Sequence, residues 1–155
     1  MLQRIQTLYL LAVVILSGFI IFSPLADLIN KADNLSYLVN INGISLLKAT
    51  GNIIESRIWA LASVTLVVPV IALITIFSYK NRLKQIRLSV INMLFMLCFY
   101  IFMVLYLWPA CIRLHTDWHL RIVAVFPLIN IILTYLAIGA IGKDEKLVKS
   151  LDRLR

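Results

Sequence analysis

Four stretches of the chain are almost uninterruptedly apolar, and polar and charged residues return only between them. They run roughly from Ile5 to Phe22, Ile58 to Tyr79, Leu88 to Trp108 and Arg121 to Ile141. Each is close to the roughly 20 residues a helix needs to cross a hydrocarbon layer. A helix also satisfies its own backbone hydrogen bonds where lipid offers no partners. The pattern predicts an all-α integral membrane protein, a four-transmembrane-helix bundle forming a single domain over residues 1–155. The first stretch follows Arg4 and has the outline of a secretory signal. It is too long for one, and Phe22-Ser23-Pro24-Leu25-Ala26 lacks a small-x-small cleavage site, so it reads as a permanent anchor.

The connections have patterns of their own. Within residues 25–57, Tyr37, Val39 and Ile41 alternate with Leu38, Asn40 and Asn42, and Asn42-Gly43 supplies a dipeptide that accepts positive φ before Ile44 to Leu47. A short β-hairpin over the helix ends is expected, supported by the bundle or by a partner, because an isolated hairpin is marginal in water. Lys80 to Arg87 is short enough to make the second and third spans an antiparallel helical hairpin. Ala110 to Leu120 reads as a short loop. In residues 142–155, Leu147, Leu151 and Leu154 recur at helical spacing beside Val148, opposite a basic face. This predicts a separate amphipathic helix, either resting on anionic headgroups or docked on a protein partner.

Composition agrees with the pattern. The chain is 62% hydrophobic and 14% charged, against roughly 45–50% and 25% in soluble domains. Its net charge of +8 does not point to nucleic acid, because the basic residues are scattered between apolar runs and form no contiguous patch.

The charge instead sets an orientation. Arg4, Lys80, Arg82, Lys84, Arg87, Lys143, Lys146, Lys149, Arg153 and Arg155 fall on one side of the predicted bundle. Lys31, Lys48, Arg57, Arg113 and Arg121 fall on the other, together with Asp27, Asp33, Glu55 and Asp117. Positive loops resist translocation, so both termini are expected in the cytoplasm and the hairpin outside. Trp59, Trp108 and Trp118 would then share the outer interface, with Tyr9 and Tyr79 near the inner one, where amphipathic rings are favoured.

Candidate chemistry is sparse. No ionisable residue lies in the middle of a span, which argues against a pump, a proton-coupled transporter or a charge-selective pore. The polar residues within spans are Ser63, Thr65, Thr75, Asn92, Asn130 and Thr134, with Pro69 and Pro127 as expected bends. Asn92 and Asn130 are candidates for hydrogen bonds between helices. Cys98 and Cys111 form no C-x-x-C pair and read as small buried hydrophobes, which removes a thiol oxidoreductase and a zinc site. His115 and His119 flank Asp117 four residues apart, a metal-site spacing on a helix. Arg113 and Arg121 beside them would repel a cation, so an interfacial loop is the favoured reading. No haem, nucleotide or other cofactor motif is found, and no cofactor is expected.

Three stretches carry a resemblance. Met1-Leu-Gln-Arg-Ile-Gln-Thr-Leu-Tyr-Leu-Leu11, Tyr79-Lys-Asn-Arg-Leu-Lys-Gln-Ile-Arg-Leu88 with Asn92 beyond it, and Gly142-Lys-Asp-Glu-Lys-Leu-Val-Lys-Ser-Leu-Asp-Arg-Leu-Arg155 resemble the family catalogued as domain of unknown function 4293, small four-span membrane proteins of Bacteroidota. The resemblance covers essentially the whole chain and is weakest in the external loop. It implies a four-helix bundle in a bacterial inner membrane and carries over no activity and no functional residue.

It directs attention to the cytoplasmic face. Lys80, Asn81, Arg82, Gln85, Ile86, Arg87, Lys143, Lys146, Leu147, Leu151 and Leu154 are the candidate contacts to a partner or to lipid, although topogenic charge alone also explains the basic residues there. The expected function is a non-catalytic accessory or structural subunit of a larger bacterial inner-membrane complex, such as a translocon, secretion or envelope-assembly machine. Its partners would be membrane lipids and other inner-membrane proteins. The alternative is a small lipid- or quinone-binding carrier with a pocket bordered by Pro69, Asn92, Asn130 and Tyr135. An intramembrane enzyme is the weakest reading, because no nucleophile and base converge unless packing brings His115, Asp117 and His119 to Glu55.

Overall fold

The computed structural model describes residues 2–30, 35–48, 51–57, 59–79 and 81–152. Four helices, α1 (Leu2–Phe22), α2 (Trp59–Phe77), α3 (Arg82–Leu114) and α4 (Phe126–Asp152), are long and apolar enough to cross a membrane, as expected of a membrane protein. They pack as a ring in which α1 touches α2, α2 touches α3, α3 touches α4 and α4 closes on α1. Five strands gather at one end, hereafter the sheet end: β1 (Ala26–Asn30), β2 (Leu35–Asn40), β3 (Gly43–Lys48), β4 (Gly51–Arg57) and β5 (Asp117–Leu120). The opposite end, where α2 turns into α3, carries Arg82, Lys84 and Arg87 and is called the basic end.

Each helix buries one narrow seam. The buried positions are Gln6, Leu10, Val13, Ser17 and Ile20 on α1, and Leu61, Thr65, Val68, Ala72 and Thr75 on α2 with Val64 beside them. On α3 they are Gln85, Ser89, Asn92, Met96, Phe99, Met103, Leu107 and Ala110, and on α4 Asn130, Thr134, Ala137 and Ile141. These residues recur at intervals of three and four, alternating except for two successive fours at Phe99, Met103 and Leu107, close to the heptad spacing of nearly parallel helices packed knobs-into-holes. The outer faces are as apolar as a lipid-facing surface requires, with Leu8, Leu11, Ile15, Phe19, Ile101, Val104, Leu105 and Ile132 all exposed.

Two helices run further than their apolar pattern. The apolar pattern ends the third span at Trp108, yet α3 continues through Pro109 to Leu114. A proline within a helix forfeits one backbone bond, and neighbouring elements can hold the helix together around it. At its other end α3 begins at Arg82, not Leu88, so its 33 residues extend about 50 Å. The expected separate tail helix is likewise absorbed into α4. Gly142 does not take a positive φ, so α4 passes through it and continues to Asp152. Leu154 lies outside the described residues.

The expected hairpin is one part of a larger antiparallel sheet of order β4-β3-β2-β1-β5. The β2–β3 pair closes with Asn40 opposite Gly43, which places Ile41-Asn42 in the turn and the positive φ of 147° at Gly43, the first residue of β3. In β1, Ala26, Leu28 and Asn30 point inward while Asp27 is half-buried and Ile29 exposed. The stretch Asp117–Leu120, read as loop, is β5, paired with β1 from Ala26↔Leu120 to Ile29↔Asp117. All four of its residues are exposed, so it joins through its backbone and leaves no inward-outward signal in the sequence.

The sheet is fused to the bundle. Leu25, Ala26, Leu28, Tyr37, Val39, Ile41, Ile44 and Leu46 share one buried cluster with Ile20 of α1, Leu61 of α2, and Phe99, Met103 and Leu107 of α3. Asn30 Nδ2 donates to the Leu114 carbonyl at 3.2 Å, capping the end of α3, where His115 turns the chain through a left-handed conformation (φ 48°, ψ 47°). The backbone N–H of Arg121 donates to Leu25 O at 3.0 Å, and its Nε lies 2.8 Å from Asp27 Oδ2. That hydrogen bond raises the Arg121 guanidinium further above its already high range, so the arginine end of the pair stays charged at any accessible pH.

The two faces of β1 should respond differently to truncation. Leu28→Ala, which hollows the shared core, is expected to lower stability by about 2–5 kcal/mol. Ile29→Ala, on the exposed face, should stay within about 0.5 kcal/mol. Tryptophan-fluorescence melting of the detergent-solubilised protein reads both, and equal losses would contradict the assignment of faces.

Candidate functional site: the basic end and the polar seam

At the basic end, α2 stops at Phe77, Ser78 and Tyr79 form a turn, and α3 starts at Arg82. Asn81 precedes it with φ −119° and ψ 87°, makes no side-chain cap, and the first turn of α3 holds no acidic residue. The uncapped N–H groups and the helix dipole therefore leave this terminus electropositive.

Two side chains of α3 tie the turn to its neighbours. Gln85 is buried, and its Nε2 donates to the Thr75 carbonyl of α2 at 3.0 Å. Arg82 Nη2 lies 3.0 Å from Asp144 Oδ2 of α4, with both side chains mostly shielded.

The candidate contacts therefore divide. Asn81, Lys84, Arg87 and Lys143 are exposed. Gln85 is not available at the surface and Arg82 is half-engaged within the bundle, because α3 starts early enough to bring both into the heptad register that continues through Ser89 and Asn92. Lys146, Leu147 and Leu151 lie on α4, and their side chains fall outside the description, as do Lys80 and Leu154 altogether.

Gln6 of α1, Thr7, Ile76, Phe77, Tyr79, Arg82 and Gln85 surround a cavity of about 280 Å³. Gln6 is only 4% exposed. Neither its Nε2 nor Arg82 Nη1 has a hydrogen-bond partner among the described residues, and both atoms are shielded from solvent.

Deeper in the seam, Asn130 Nδ2 of α4 donates to Ser17 Oγ of α1 at 3.3 Å, and Ser17 Oγ donates in turn to Val13 O at 2.6 Å. Thr65, Thr75 and Thr134 each donate to the carbonyl four residues back at 2.7 Å. Asn92 is 0% exposed, and neither its Oδ1 nor its Nδ2 has a partner among the described residues; Ser89 Oγ and Asn130 Oδ1 share that condition.

The residues proposed to border a carrier pocket do not converge on one. Asn130 lines a cavity of about 10 Å³ with Ser17, Ile20, Thr65, Val68, Met96, Phe99 and Pro127. That is room for about one water molecule. Tyr135 is 67% exposed on the outside of α4.

At the sheet end, Trp108, Trp118, Cys111, Thr116 and Asp117 help to line a groove of about 340 Å³. His115 sits in the turn after α3 and His119 on β5, so their four-residue separation is not helical and does not bring the imidazoles onto one turn. No group of three or more His, Cys, Asp and Glu able to hold a metal occurs among the described residues. Cys98, expected to be buried, is exposed on the outer face of α3, and Cys111 is half-buried.

Sequence reasoning passed over Gln6, Ser17 and Ser89 as seam residues. Their signal was present: Ser17 lies eleven residues after Gln6, and Gln85, Ser89 and Asn92 follow each other at four and three. Within a span the spacing of polar residues marks the interior better than that of apolar ones.

The two asparagines should answer differently to threonine, which is close in volume though shorter and branched at Cβ, and can bond its own helix. Asn92→Thr removes two unpartnered atoms and is expected to stabilise the bundle by about 1 kcal/mol or more. Asn130→Thr severs the α4–α1 hydrogen bond and should cost roughly 0.6–2 kcal/mol. Thermal melting in detergent distinguishes them, and a loss at Asn92 equal to that at Asn130 would show that Asn92 is held by a partner.

No curated protein matches the chain. One family model spans residues 2–154, nearly the entire sequence, under a description that assigns no catalysis. The chain belongs to the family described as Domain of unknown function (DUF4293).

Proposed function

We propose that the protein is a non-catalytic structural subunit of a larger complex in a bacterial inner membrane. In this reading it crosses the bilayer four times, keeps both termini in the cytoplasm, and holds its sheet outside as a docking platform. Ten of the fifteen lysines and arginines then lie on the cytoplasmic side, in keeping with the tendency of positive loops to stay there. Trp59, Trp108 and Trp118, all exposed and near the sheet end, would occupy the outer headgroup zone.

The observation that carries the proposal is the common core of sheet and bundle. A loop that merely joined two helices would not need three strands buried against three of them. Here the inward face of the sheet is consumed in anchoring, and the features left over are edges. β4 pairs only with β3, so along its other side a row of backbone N–H and C=O groups has no strand partner among the described residues. An unpaired edge accepts a strand from another chain, with backbone hydrogen bonds supplying affinity. Four apolar helices hold that edge at a fixed height above the lipid.

Site-specific photo-crosslinkers at Asn52 and Ser56 of β4, introduced in native membranes, test this. A single adduct of constant mass is expected from both positions and none from Ile101 on the lipid face of α3. Ile54→Pro, which disturbs the edge, should reduce the adduct at least tenfold while the protein remains in the membrane. A chain that stays monomeric and yields no adduct from either strand position would overturn the proposal.

A further inference from the structure

We propose that the cavity at the basic end is a binding site for the phosphate group of a phospholipid, seated between α1 and the α2–α3 turn. This goes beyond the structural-subunit reading and does not depend on it; it requires only that the bundle sit in a bilayer.

The argument begins with which hydrogen-bonding groups lack partners. Gln6 Nε2 is a donor on a side chain almost wholly buried, it lines the cavity, and no described residue accepts from it. The Arg82 side chain lines the same cavity, and its Nη1 is shielded and without an acceptor among the described residues, while Nη2 of the same guanidinium is spent on Asp144. Leaving a buried donor unmade is costly, and more so when it is charged. Among the cavity's lining residues the side-chain atoms found buried and unpartnered are these two, and both are donors. The missing group is therefore an acceptor, and one placed against a guanidinium is best an anion. A tetrahedral phosphate offers several oxygens, so one can meet the free half of the Arg82 fork while another meets the Gln6 amide.

The surroundings point the same way. The uncapped start of α3 directs its positive dipole end at this region, with no acidic side chain in its first turn to neutralise it. Lys84 stands exposed in the first turn of α3 and adds to the positive field, whereas Arg87, exposed more than a turn further along, lines no part of the cavity. Asp144 is the one described carboxylate in contact with a lining residue, and it meets Arg82 at the other nitrogen.

Size and position select a lipid as the carrier of the phosphate. At about 280 Å³ the cavity stands at the low end of small-molecule sites, roughly 300 Å³ upward, enough for a headgroup and too small for a whole lipid. Its walls also include Ile76 and Phe77, and Phe77 is largely exposed on the outside of the bundle. A phosphodiester bound here can leave its acyl chains along the apolar outer face without burying them in protein.

Native mass spectrometry of the full chain, delipidated and then exchanged into micelles containing phosphatidylglycerol, tests the site. One phosphatidylglycerol is expected to survive collisional activation on the unaltered protein. Gln6→Met keeps the volume and removes the donor, and Arg82→Lys keeps the charge and the reach to Asp144 but loses the fork. Each should reduce retained lipid about tenfold, the equivalent of 1.4 kcal/mol. Arg87→Gln, which removes a neighbouring exposed charge outside the cavity, should leave retention within twofold. Melting curves recorded on the same samples check folding. A variant that fails to fold is replaced by Gln6→Leu or Arg82→Gln, and the comparison with Arg87→Gln is then read on that variant.

Equal retention in all folded variants, or loss in Arg87→Gln as large as in Arg82→Lys, would overturn the site in favour of diffuse attraction to the basic end. If inorganic phosphate raises the melting temperature of the delipidated protein through Gln6 and Arg82 while phosphatidylglycerol is not retained, the phosphate is free in solution and the lipid assignment is overturned.

Discussion

In hydrocarbon, apolar side chains gain nothing by turning inward, because lipid tails are as apolar as leucine. Helices in that medium associate through close packing and through hydrogen bonds that lipid cannot supply, and this protein is organised around that constraint. Its heptad seam holds Gln6, Ser17, Thr65, Thr75, Gln85, Ser89, Asn92, Asn130 and Thr134, while the exposed faces hold isoleucine, leucine and phenylalanine. The arrangement reverses that of a soluble bundle. Most of the hydroxyls are inexpensive to bury because each bonds its own helix: Ser17 to Val13, Thr65 to Leu61, Thr75 to Ile71 and Thr134 to Asn130. They are small, they carry no charge, and they let the backbones approach.

The seam also determines where the sheet can form. Keeping its register for 33 residues brings α3 past the other helices to Leu114, and its last buried positions, Met103, Leu107 and Ala110, meet strand residues as well as helices. Asn30 reaches the final carbonyl of α3, His115 reverses the chain, and β5 lies down beside β1. From there Arg121 returns the chain to the bundle, bonded through its backbone to Leu25 and through its side chain to Asp27. The sheet end is thus a continuous core in which a soluble-style hydrophobic interior grows out of a membrane-style polar one.

This reversal explains which parts of the structure were legible in sequence. The four helices were, since length and apolarity suffice for them, and so was a turn near Asn42-Gly43. Apolar periodicity could not tell the inner from the outer face of a helix that is apolar almost all round, so Cys98 was assigned inward although it faces out. Pro109 and Gly142 carry strong local signals for helix ends that tertiary packing overrides. At β5 the reason is different: a strand of four exposed residues is recruited by backbone pairing and writes no alternation into the sequence. As for the candidate site, Arg82 is already named in the sequence as a candidate contact to a partner or to lipid, whereas Gln6, which falls within the residues quoted for the family resemblance, gains a role only once the fold brings it to the cavity beside Arg82.

Stabilising and destabilising terms are unevenly distributed along the bundle axis. At the sheet end a cluster of sixteen buried apolar residues joins strands and helices, and removing such area from water contributes roughly 25 cal/mol per Å². Toward the basic end the buried cluster shrinks to Val13, Val68, Ala72 and Met96, and beyond it Ser89, Asn92, Gln6 and Arg82 hold most of the unpartnered polar atoms of the seam. Each such atom costs on the order of 1–3 kcal/mol. Local opening follows the lowest density of favourable contacts, so the described part of the seam beside the α2–α3 turn is softer than the sheet end. A bound acceptor at Gln6 and Arg82 would remove part of that penalty and tighten the seam there, coupling the state of the surrounding membrane to the packing beside the α2–α3 turn.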